Sequence, residues 1–207
     1  MMPQQLDLIA DDLAERGYGI YDNILPYELM KRLVVESDQL AQHDAFSRAG
    51  IGRGKDFTQQ ETIRTDETHW LDGSGDASAE FLAQMDVLRL GINQRLFLGL
   101  FDYEAHFARY VEGAFYKKHL DAFRINATAG VNRKLSTVFY LNQDWNPEWG
   151  GELVIYSPDS NEEMTRVHPL AGRLVIFLSE EFPHEVLPAQ RERKSIAGWF
   201  RVNEFRQ

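Results

Sequence analysis

Two histidines and one aspartate in the second half of the chain have the types and spacing that bind a metal ion. His119 and Asp121 stand two residues apart in a segment that favours a strand, and residues two apart on a strand project to the same side. The alternative is a polar strand edge facing water, because so short a pair also arises by chance. His184, after the turn Phe182-Pro183, offers a third ligand. Two histidines and a carboxylate leave the opposite side of a metal open, which suits non-haem Fe(II) oxygenases, whereas zinc favours three histidines or thiolates.

An arginine and a tyrosine offer an anion site beside such a metal. Arg193 lies nine residues after His184 and enters the last clear strand, Ser195 to Val202. An arginine there is ordinarily a surface charge, but one that pointed into the protein would be a buried cation in need of a carboxylate. A dicarboxylate cosubstrate would supply that partner. Tyr140 would add a hydroxyl to the same carboxylate, or else serve only as a core aromatic.

Short β-favouring runs dominate the chain from Tyr103 onward, and these runs must position the candidate residues. Clusters of Gly, Pro, Asn and Asp separate them. They cover residues 105–111, 114–121, 135–141, 152–156, 173–178 and 195–202, with a further short strand starting at His184. Because no helical segment intervenes, the pattern predicts an antiparallel sandwich or jelly roll within an α+β chain that is mainly β.

Three amphipathic segments in the first hundred residues predict helices that cover a sheet. Their apolar residues recur at the helical spacing. The first segment ends at Gly17, the second begins after Pro26, and the third follows Asp76-Ala77-Ser78. Residues 50–76 have little apolar periodicity before that third segment, so they predict a long loop, and loops of this length are commonly functional or mobile.

Composition limits the classes of function. The 207 residues carry 22 Lys and Arg against 32 Asp and Glu, a net charge of −10, and 43% are hydrophobic, which suits a single domain over 1–207. The chain has no cysteine, so disulfides, thiolate metal sites, iron–sulfur clusters and a cysteine nucleophile are excluded. The acidic balance disfavours nucleic acid and anionic membranes as partners. Without a signal-peptide or membrane-span pattern, we expect a cytoplasmic protein.

Several separated motifs resemble one enzyme family, the 2-oxoglutarate- and Fe(II)-dependent dioxygenases. The order of His119-x-Asp121, His184 and Arg193 resembles the family as a whole. Much of the chain after the second predicted helix is similar, within that family, to the prolyl hydroxylases, particularly the oxygen-sensing group that acts on hypoxia-inducible factor. The segments that carry this similarity are Ile63-Arg64-Thr65-Asp66 with Trp70, residues 140–145, 150–153 and 183–189, and Trp199-Phe200.

The resemblance implies a fold and a set of site residues. The fold would be a double-stranded β-helix of the jelly-roll or cupin type over 101–207, supported by helices within 1–100, with 50–76 as a mobile loop that closes over the substrate. His119, Asp121 and His184 would hold Fe(II), Arg193 would pair with the distal carboxylate of 2-oxoglutarate, and the remaining contacts would come from Tyr140 and Tyr110 for the cosubstrate and from Trp199, Tyr116, Arg133, Arg64 and Asp66 for the substrate. Asp66 would pair with Arg133 when the loop closes.

The implied reaction hydroxylates a prolyl residue of an intracellular protein, consumes O₂ and releases succinate and CO₂, with ascorbate as a supporting reductant. Oxygen sensing is the role of the group resembled, and related small prolyl hydroxylases act on parts of the translation machinery. We therefore expect a monomeric enzyme whose partner is a protein, with no nucleic acid or membrane partner.

Two alternatives remain open at this point. One is a 2-oxoglutarate oxygenase that acts on a small amino acid or another residue type, and the other is a non-catalytic metal-binding β-barrel that binds a partner. The stretch between Tyr110 and His119 lacks the glycine-rich character of the group resembled, and the loop from Asp121 to Arg133 is longer. Since both segments border the expected substrate groove, substrate choice is the property that transfers least.

Overall fold

Three helices lie in the first half of the chain, in a computed structural model that describes residues 1–49, 62–122 and 131–203. They are α1 (Pro3–Arg16), α2 (Tyr27–Gln42) and α3 (Asp76–Leu96), so the three predicted helices are confirmed. Gly17 ends α1 at a φ of 75°, a left-handed conformation that glycine adopts without steric cost. No helix within the described ranges is long and apolar enough to cross a membrane.

Eleven strands make up nearly half of the remaining described residues. In chain order they are β1 (Tyr18–Tyr21), β2 (Ser47–Arg48), β3 (Glu67–Trp70), β4 (Leu100–Tyr110), β5 (Tyr116–His119), β6 (Val131–Tyr140), β7 (Leu153–Tyr156), β8 (Glu163–Val167), β9 (Leu174–Leu178), β10 (His184–Val186) and β11 (Arg193–Asn203). A short 3₁₀ helix, Pro147–Trp149, precedes β7.

The strands form two antiparallel sheets. The large sheet has seven strands in the order β1-β9-β6-β11-β4-β3-β2, and the small sheet has four in the order β5-β10-β7-β8. Neighbouring strands in both sheets run antiparallel. Two antiparallel sheets with helices beside them confirm the predicted jelly-roll, mainly β fold.

The central strands of the large sheet are buried on both faces, and their alternate residues belong to different cores. Phe139 of β6 packs in the core that includes all three helices, whereas the next residue, Tyr140, packs in the core that includes the small sheet. Ile176 and Phe177 of β9 divide in the same way. Burial on both faces explains why these strands are continuous apolar runs rather than alternating ones.

The prediction of one loop over residues 50–76 is wrong in part. Residues 50–61 lie outside the described residues, but Glu67–Trp70 form β3, which pairs with β4 from Arg109 to His106. The side chains of Trp70 and His106 meet edge to face across this pair, with ring centroids 5.0 Å apart. Four residues are too few for a period to stand out in the sequence, and cross-strand pairing holds them instead.

Other element boundaries also differ from the prediction. The strand expected over 114–121 is only β5, so Asp121 lies two residues beyond its end. β4 begins at Leu100, before the predicted start. β1 and β8 were not predicted, because β1 has four residues and β8, Glu163-Met-Thr-Arg-Val167, is largely polar and exposed at a sheet edge. The first hundred residues thus supply three strands of the large sheet as well as the helices.

Candidate active site

His119, Asp121 and His184 come together on the small sheet. His119 ends β5, His184 begins β10, and the two residues face each other in the pairing of these strands. Asp121 lies between them, with a carboxylate oxygen 3.6 Å from Nε2 of His119 and the other 3.5 Å from Nε2 of His184. One ligand atom from each residue lies within 4.8 Å of the others. The three side chains therefore converge as metal ligands do.

Each histidine is oriented by a backbone carbonyl two residues before it, in β5 for His119 and in the turn before β10 for His184. Nδ1 of His119 lies 2.7 Å from the carbonyl oxygen of Lys117, and Nδ1 of His184 lies 3.0 Å from that of Phe182. A carbonyl can only accept, so Nδ1 must carry the proton in both rings. Nε2 is then the unprotonated nitrogen of each neutral ring and faces Asp121, as metal coordination requires.

A serine of the large sheet helps to orient the carboxylate of Asp121. Ser136 of β6 donates its hydroxyl to Oδ2 of Asp121 over 2.7 Å and itself lies 2.9 Å from the hydroxyl of Ser179. Burial alone would raise the pKa of Asp121, but the neighbouring His184, His119 and Arg133 outweigh it and hold this pKa well below its usual range. Burial, reinforced by His119, lowers the pKa of His184 to about 4. At neutral pH the aspartate is ionised and His184 is neutral, the forms that bind a metal.

Ser136 and Ser179 were missed by sequence reasoning. Both are buried, and each interrupts an otherwise apolar stretch, Leu135 to Phe139 in β6 and the end of β9. A small hydroxyl in such a run is also a common core residue. Only the folded chain, which brings β6 against the end of β5, reveals their contact with Asp121.

Arg193 points into the protein and pairs with no carboxylate of the described residues. Its side chain is 1% exposed, Nε donates to the carbonyl of Gly151 over 3.0 Å, and Nη1 donates to the hydroxyl of Ser195 over 3.3 Å. The guanidinium also lies over the rings of Tyr110 and Tyr140, 4.7 Å and 5.1 Å from their centroids. A buried cation with only neutral partners is unfavourable unless an anion completes the site.

The hydroxyl of Tyr140 beside this guanidinium is buried without a hydrogen-bond partner among the described residues. Burial raises the pKa of Tyr140, and the Arg193 charge opposes that rise, so the hydroxyl is protonated and can donate. A cation and an orphaned donor at one point fit a carboxylate. The residues present therefore fit 2-oxoglutarate as well as a metal ion.

Gly151 allows the arginine to lie where it does. Its φ is 75°, and a Cβ built there would lie 2.9 Å from Cβ of Ala189 and 3.4 Å from Cδ of Arg193. Any other residue would be strained in the backbone and would press on the neighbours of the guanidinium. The Gly150-Gly151 pair thus shapes the anion site, although the sequence marked it only through the family resemblance.

A cavity of about 750 Å³ opens between the two sheets and joins the metal cluster to Arg193. Most of the predicted site residues line it, namely His119, Asp121, His184, Arg193, Tyr110, Tyr116, Arg64, Arg133 and Trp199. Tyr140 lies behind the wall, in the core beside Arg193. Asp66 is 1% exposed and is not part of the lining either.

Two arginines form the cavity wall beside the metal cluster, each held by a carboxylate. Arg64 donates to both oxygens of Asp66, over 2.8 Å and 2.6 Å, and lies over the ring of Tyr116 at 4.2 Å. Tyr116 in turn stacks on His119, with ring centroids 3.5 Å apart. Asp66 is thus engaged by Arg64 in this structure, and its pairing with Arg133 on closure stays a prediction.

Arg133 lies on the opposite part of the wall. Its Nε donates to Glu104 over 3.0 Å, and its guanidinium lies 3.5 Å from the centroid of the Trp199 ring. The same wall contains His106, which sequence reasoning missed altogether. His106 is 4% exposed and contacts both Trp70 and Trp199, with centroid distances of 5.0 Å and 5.4 Å.

Comparison with known proteins places the chain among oxygenases. Residues 105–201 match the family described as the 2OG-Fe(II) oxygenase superfamily. A prolyl-4-hydroxylase from Pseudomonas putida is 44% identical, with a TM-score of 0.84 over 96% of this chain and 100% of that one. A Trichoplax adhaerens prolyl hydroxylase, solved with a peptide fragment of the hypoxia-inducible factor oxygen degradation domain, is 27% identical, with a TM-score of 0.83 over 96% of this chain and 89% of that one.

A curated relative from Caenorhabditis elegans, the hypoxia-inducible factor prolyl hydroxylase, is 30% identical over 93% of this chain. The chain spans only 27% of the length of that protein.

Proposed function

Because the chain belongs to the 2OG-Fe(II) oxygenase superfamily and to its prolyl hydroxylase type, we propose that it hydroxylates a prolyl residue within another protein. Fe(II), 2-oxoglutarate and O₂ are the cofactor and cosubstrates of this family. One oxygen atom of O₂ becomes the hydroxyl of the prolyl ring and the other enters succinate, while 2-oxoglutarate loses CO₂. The C–H bond and 2-oxoglutarate each give up two electrons, which together reduce O₂ fully.

The observation that carries the proposal is the pairing of an open metal site with an unmatched buried cation in one cavity. We propose that His119, Asp121 and His184 hold Fe(II) through Nε2, a carboxylate oxygen and Nε2. Bound iron would supply the oxygen activation, which is chemistry no side chain provides. The open side of such a three-ligand site leaves room for the cosubstrates.

Arg193 is the proposed partner of the distal carboxylate of 2-oxoglutarate, with Tyr140 as a second donor and Tyr110 beneath the guanidinium. The support is the buried charge with no carboxylate partner among the described residues and the orphaned Tyr140 hydroxyl. Fixed donors that need no rearrangement orient the cosubstrate at little cost. Burial between two sheets also keeps bulk water away from the reacting groups.

The substrate side of the cavity is proposed to consist of Trp199, Tyr116, Arg133, Arg64 and Asp66. Aromatic faces and guanidinium groups suit a peptide, which offers a prolyl ring and backbone carbonyls. Asp66 would act through Arg64, since it lies outside the lining. A pocket for a free amino acid would instead need a paired carboxylate and cation for its charged ends.

The identity of the target protein is a further proposal. We propose a monomeric enzyme of the cytoplasm that acts on an intracellular protein, with components of the translation machinery as the first candidates and ascorbate as a supporting reductant. Oxygen sensing would follow if the enzyme responds to O₂ in the cellular range. The resemblance to small prolyl hydroxylases supports these choices.

The test is hydroxylation of peptides by the protein supplied with Fe(II), 2-oxoglutarate and O₂. Short peptides with a central proline and mixed flanking residues are incubated with the enzyme, and mass spectrometry locates any added oxygen atom while succinate is quantified. We expect peptide-dependent succinate release with the oxygen on proline. Asp121→Ala should abolish both signals, and Arg193→Ala should mainly raise the KM for 2-oxoglutarate, by about 10- to 100-fold if a charge-assisted contact is lost.

Three results would contradict the proposal. An Asp121→Ala variant with normal Fe(II) occupancy and turnover would remove the metal assignment. Succinate release stimulated by a free amino acid but by no peptide would favour the small-molecule oxygenase. Absence of any 2-oxoglutarate turnover in an iron-loaded protein would favour a non-catalytic barrel.

A further inference from the structure

His106 has the placement of a ligand-binding residue but no part in the metal or cosubstrate sites. It belongs to β4, opposite Trp70 of β3 and Ala197 of β11. The ring is 4% exposed, lines the cavity and contacts both Trp70 and Trp199, whose own ring centroids are 6.3 Å apart. A buried polar ring packed against two tryptophans has little room to move, so a ligand must come to it.

One nitrogen of the His106 ring is sealed without a partner. Nδ1 is buried and has no hydrogen-bond partner within the described part of the chain. Nδ1 is unsatisfied in either tautomer, as a donor or as an acceptor. Only a proton on Nε2 gives the ring a donor that is not sealed, and since the ring lines the cavity, we assign the proton to Nε2, where Nε2–H can reach a ligand.

The imidazole is also uncharged. Burial lowers the pKa of His106 to about 3, although the carboxylates of Asp66 and Asp121 act against this shift while Arg64 and Arg133 add to it. The cavity thus contains at this point a neutral N–H donor in an aromatic frame. Such a donor suits a neutral acceptor, whereas a carboxylate is better matched by a cation.

The position of His106 along β4 separates it from the cosubstrate anchor. Alternate residues of this strand line the cavity, namely Glu104, His106, Ala108 and Tyr110, while Ala105 and Phe107 belong to the helix-side core. Tyr110 lies under Arg193, and four residues of strand place His106 about 13 Å away. Trp70, next to His106, is 52% exposed. His106 therefore lies towards the open end, where a large substrate enters.

We propose that His106 is a specificity-determining substrate contact, whose Nε2–H donates a hydrogen bond to a backbone carbonyl of the target prolyl residue. This inference rests on the proposed prolyl hydroxylation. A prolyl residue has no backbone N–H, so its one backbone polar group within a chain is a carbonyl, which only accepts. The aromatic rings beside His106 can pack against the apolar prolyl ring, while its N–H donates to the carbonyl.

Three substitutions of His106 test the contact in the peptide assay. His106→Phe keeps a ring against the two tryptophans but removes the donor, and His106→Leu removes the donor with a smaller apolar side chain if the phenyl ring does not fit. His106→Gln places an amide N–H at a similar reach. We expect Phe or Leu to raise the KM for peptide about tenfold, the loss of one hydrogen bond that leaves a carbonyl unpaired. Gln should recover most of that loss.

The readouts separate substrate binding from a merely structural role. The KM for 2-oxoglutarate and anaerobic Fe(II) binding should remain at wild-type values in all three variants. A wild-type peptide KM in the Phe and Leu variants would overturn the inference, as would equal impairment in the Gln variant. If the wild-type protein hydroxylates free proline and none of the peptides, the proposed function fails and this inference fails with it, whereas an unaffected Phe variant overturns the His106 contact alone.

Discussion

His119 and His184 obtain their orientation from backbone carbonyls, whereas Asp121 and Arg193 depend on side-chain hydroxyls. Ser136 donates to Asp121, and Ser195 accepts from Arg193. One buried serine thus contacts the proposed metal site and another contacts the proposed cosubstrate site. This arrangement allows each site to be weakened without disturbing the other.

Alanine substitution of the two serines should separate metal affinity from cosubstrate affinity. Ser136→Ala removes a contact that orients a ligating carboxylate, so Fe(II) affinity should fall about 10- to 100-fold, measured by anaerobic titration. Ser195→Ala removes a hydroxyl that accepts a 3.3 Å hydrogen bond from the Arg193 guanidinium, so the KM for 2-oxoglutarate should rise about 2- to 10-fold. Each variant is the control for the other, and a Ser136→Ala protein that loses only cosubstrate affinity would contradict the assignment.

At the residue scale, the sequence predicted the groups that have few other uses. A His-x-Asp pair, a later histidine and an arginine nine residues further on are uncommon enough to indicate a site. Ser136 and His106 gave no signal, because a serine in a buried strand and a histidine among aromatics are ordinary core residues. Their meaning depends on which atoms face the cavity, and that is fixed only by packing.

At the scale of elements, β6 shows how one strand serves two environments. Phe139 faces the helices and Tyr140 faces the small sheet, and both side chains are fully buried. Similar burial would suggest similar importance for stability. The unpaired hydroxyl of Tyr140 supports instead its proposed role in binding 2-oxoglutarate.

Adjacent substitutions in β6 should therefore have opposite effects. Phe139→Ala leaves a cavity in the helix-side core and should lower the free energy of unfolding by about 3–5 kcal/mol. Tyr140→Phe removes a hydroxyl that has no partner, so stability should stay the same or rise by about 1 kcal/mol, while the KM for 2-oxoglutarate increases. Urea unfolding and steady-state kinetics measure the two effects, and a Tyr140→Phe variant with unchanged kinetics would remove the hydroxyl from the anion site.

Element prediction succeeded where the chain carries a long periodic pattern. The helices and the apolar strands β6, β9 and β11 follow from their patterns, and Gly17 marks a true helix end. β3 could not be predicted, because Glu67–Trp70 is stabilised as a strand by pairing with β4 and by the edge-to-face contact of Trp70 with His106. Contacts between distant segments have no signature within four residues of sequence.

At the scale of the whole molecule, two buried neutral histidines make stability depend on pH. Burial lowers the pKa of His106 to about 3 and that of His184 to about 4, against about 6.5 in an unfolded chain. Below pH 6.5 the unfolded chain therefore binds protons that the folded chain excludes. As the pH decreases below 6.5, the free energy of unfolding therefore decreases. Above pH 6.5 these two histidines add no pH dependence to it.

The metal-free protein should lose stability as the pH falls from 6.5 towards 4, by up to about 1.4 kcal/mol per pH unit for each of these histidines. Urea unfolding in the presence of a chelator at several pH values measures the slope. His106→Phe should flatten it, whereas the same substitution at the exposed His43 should leave it unchanged. An equal slope in wild type and His106→Phe would show that His106 is not excluded from protonation by the fold.

The two histidine ligands of the proposed metal site are held by the backbone rather than by other side chains. Their Nδ1 acceptors are main-chain carbonyls of β5 and of the turn before β10, and no point mutation deletes a carbonyl. Each carbonyl lies two residues before its own histidine, so the orientation of each ring is set locally and does not depend on how β5 and β10 pair. A bound metal ion would join His119 of β5 to His184 of β10. Metal binding should therefore also stabilise the pairing of these two strands.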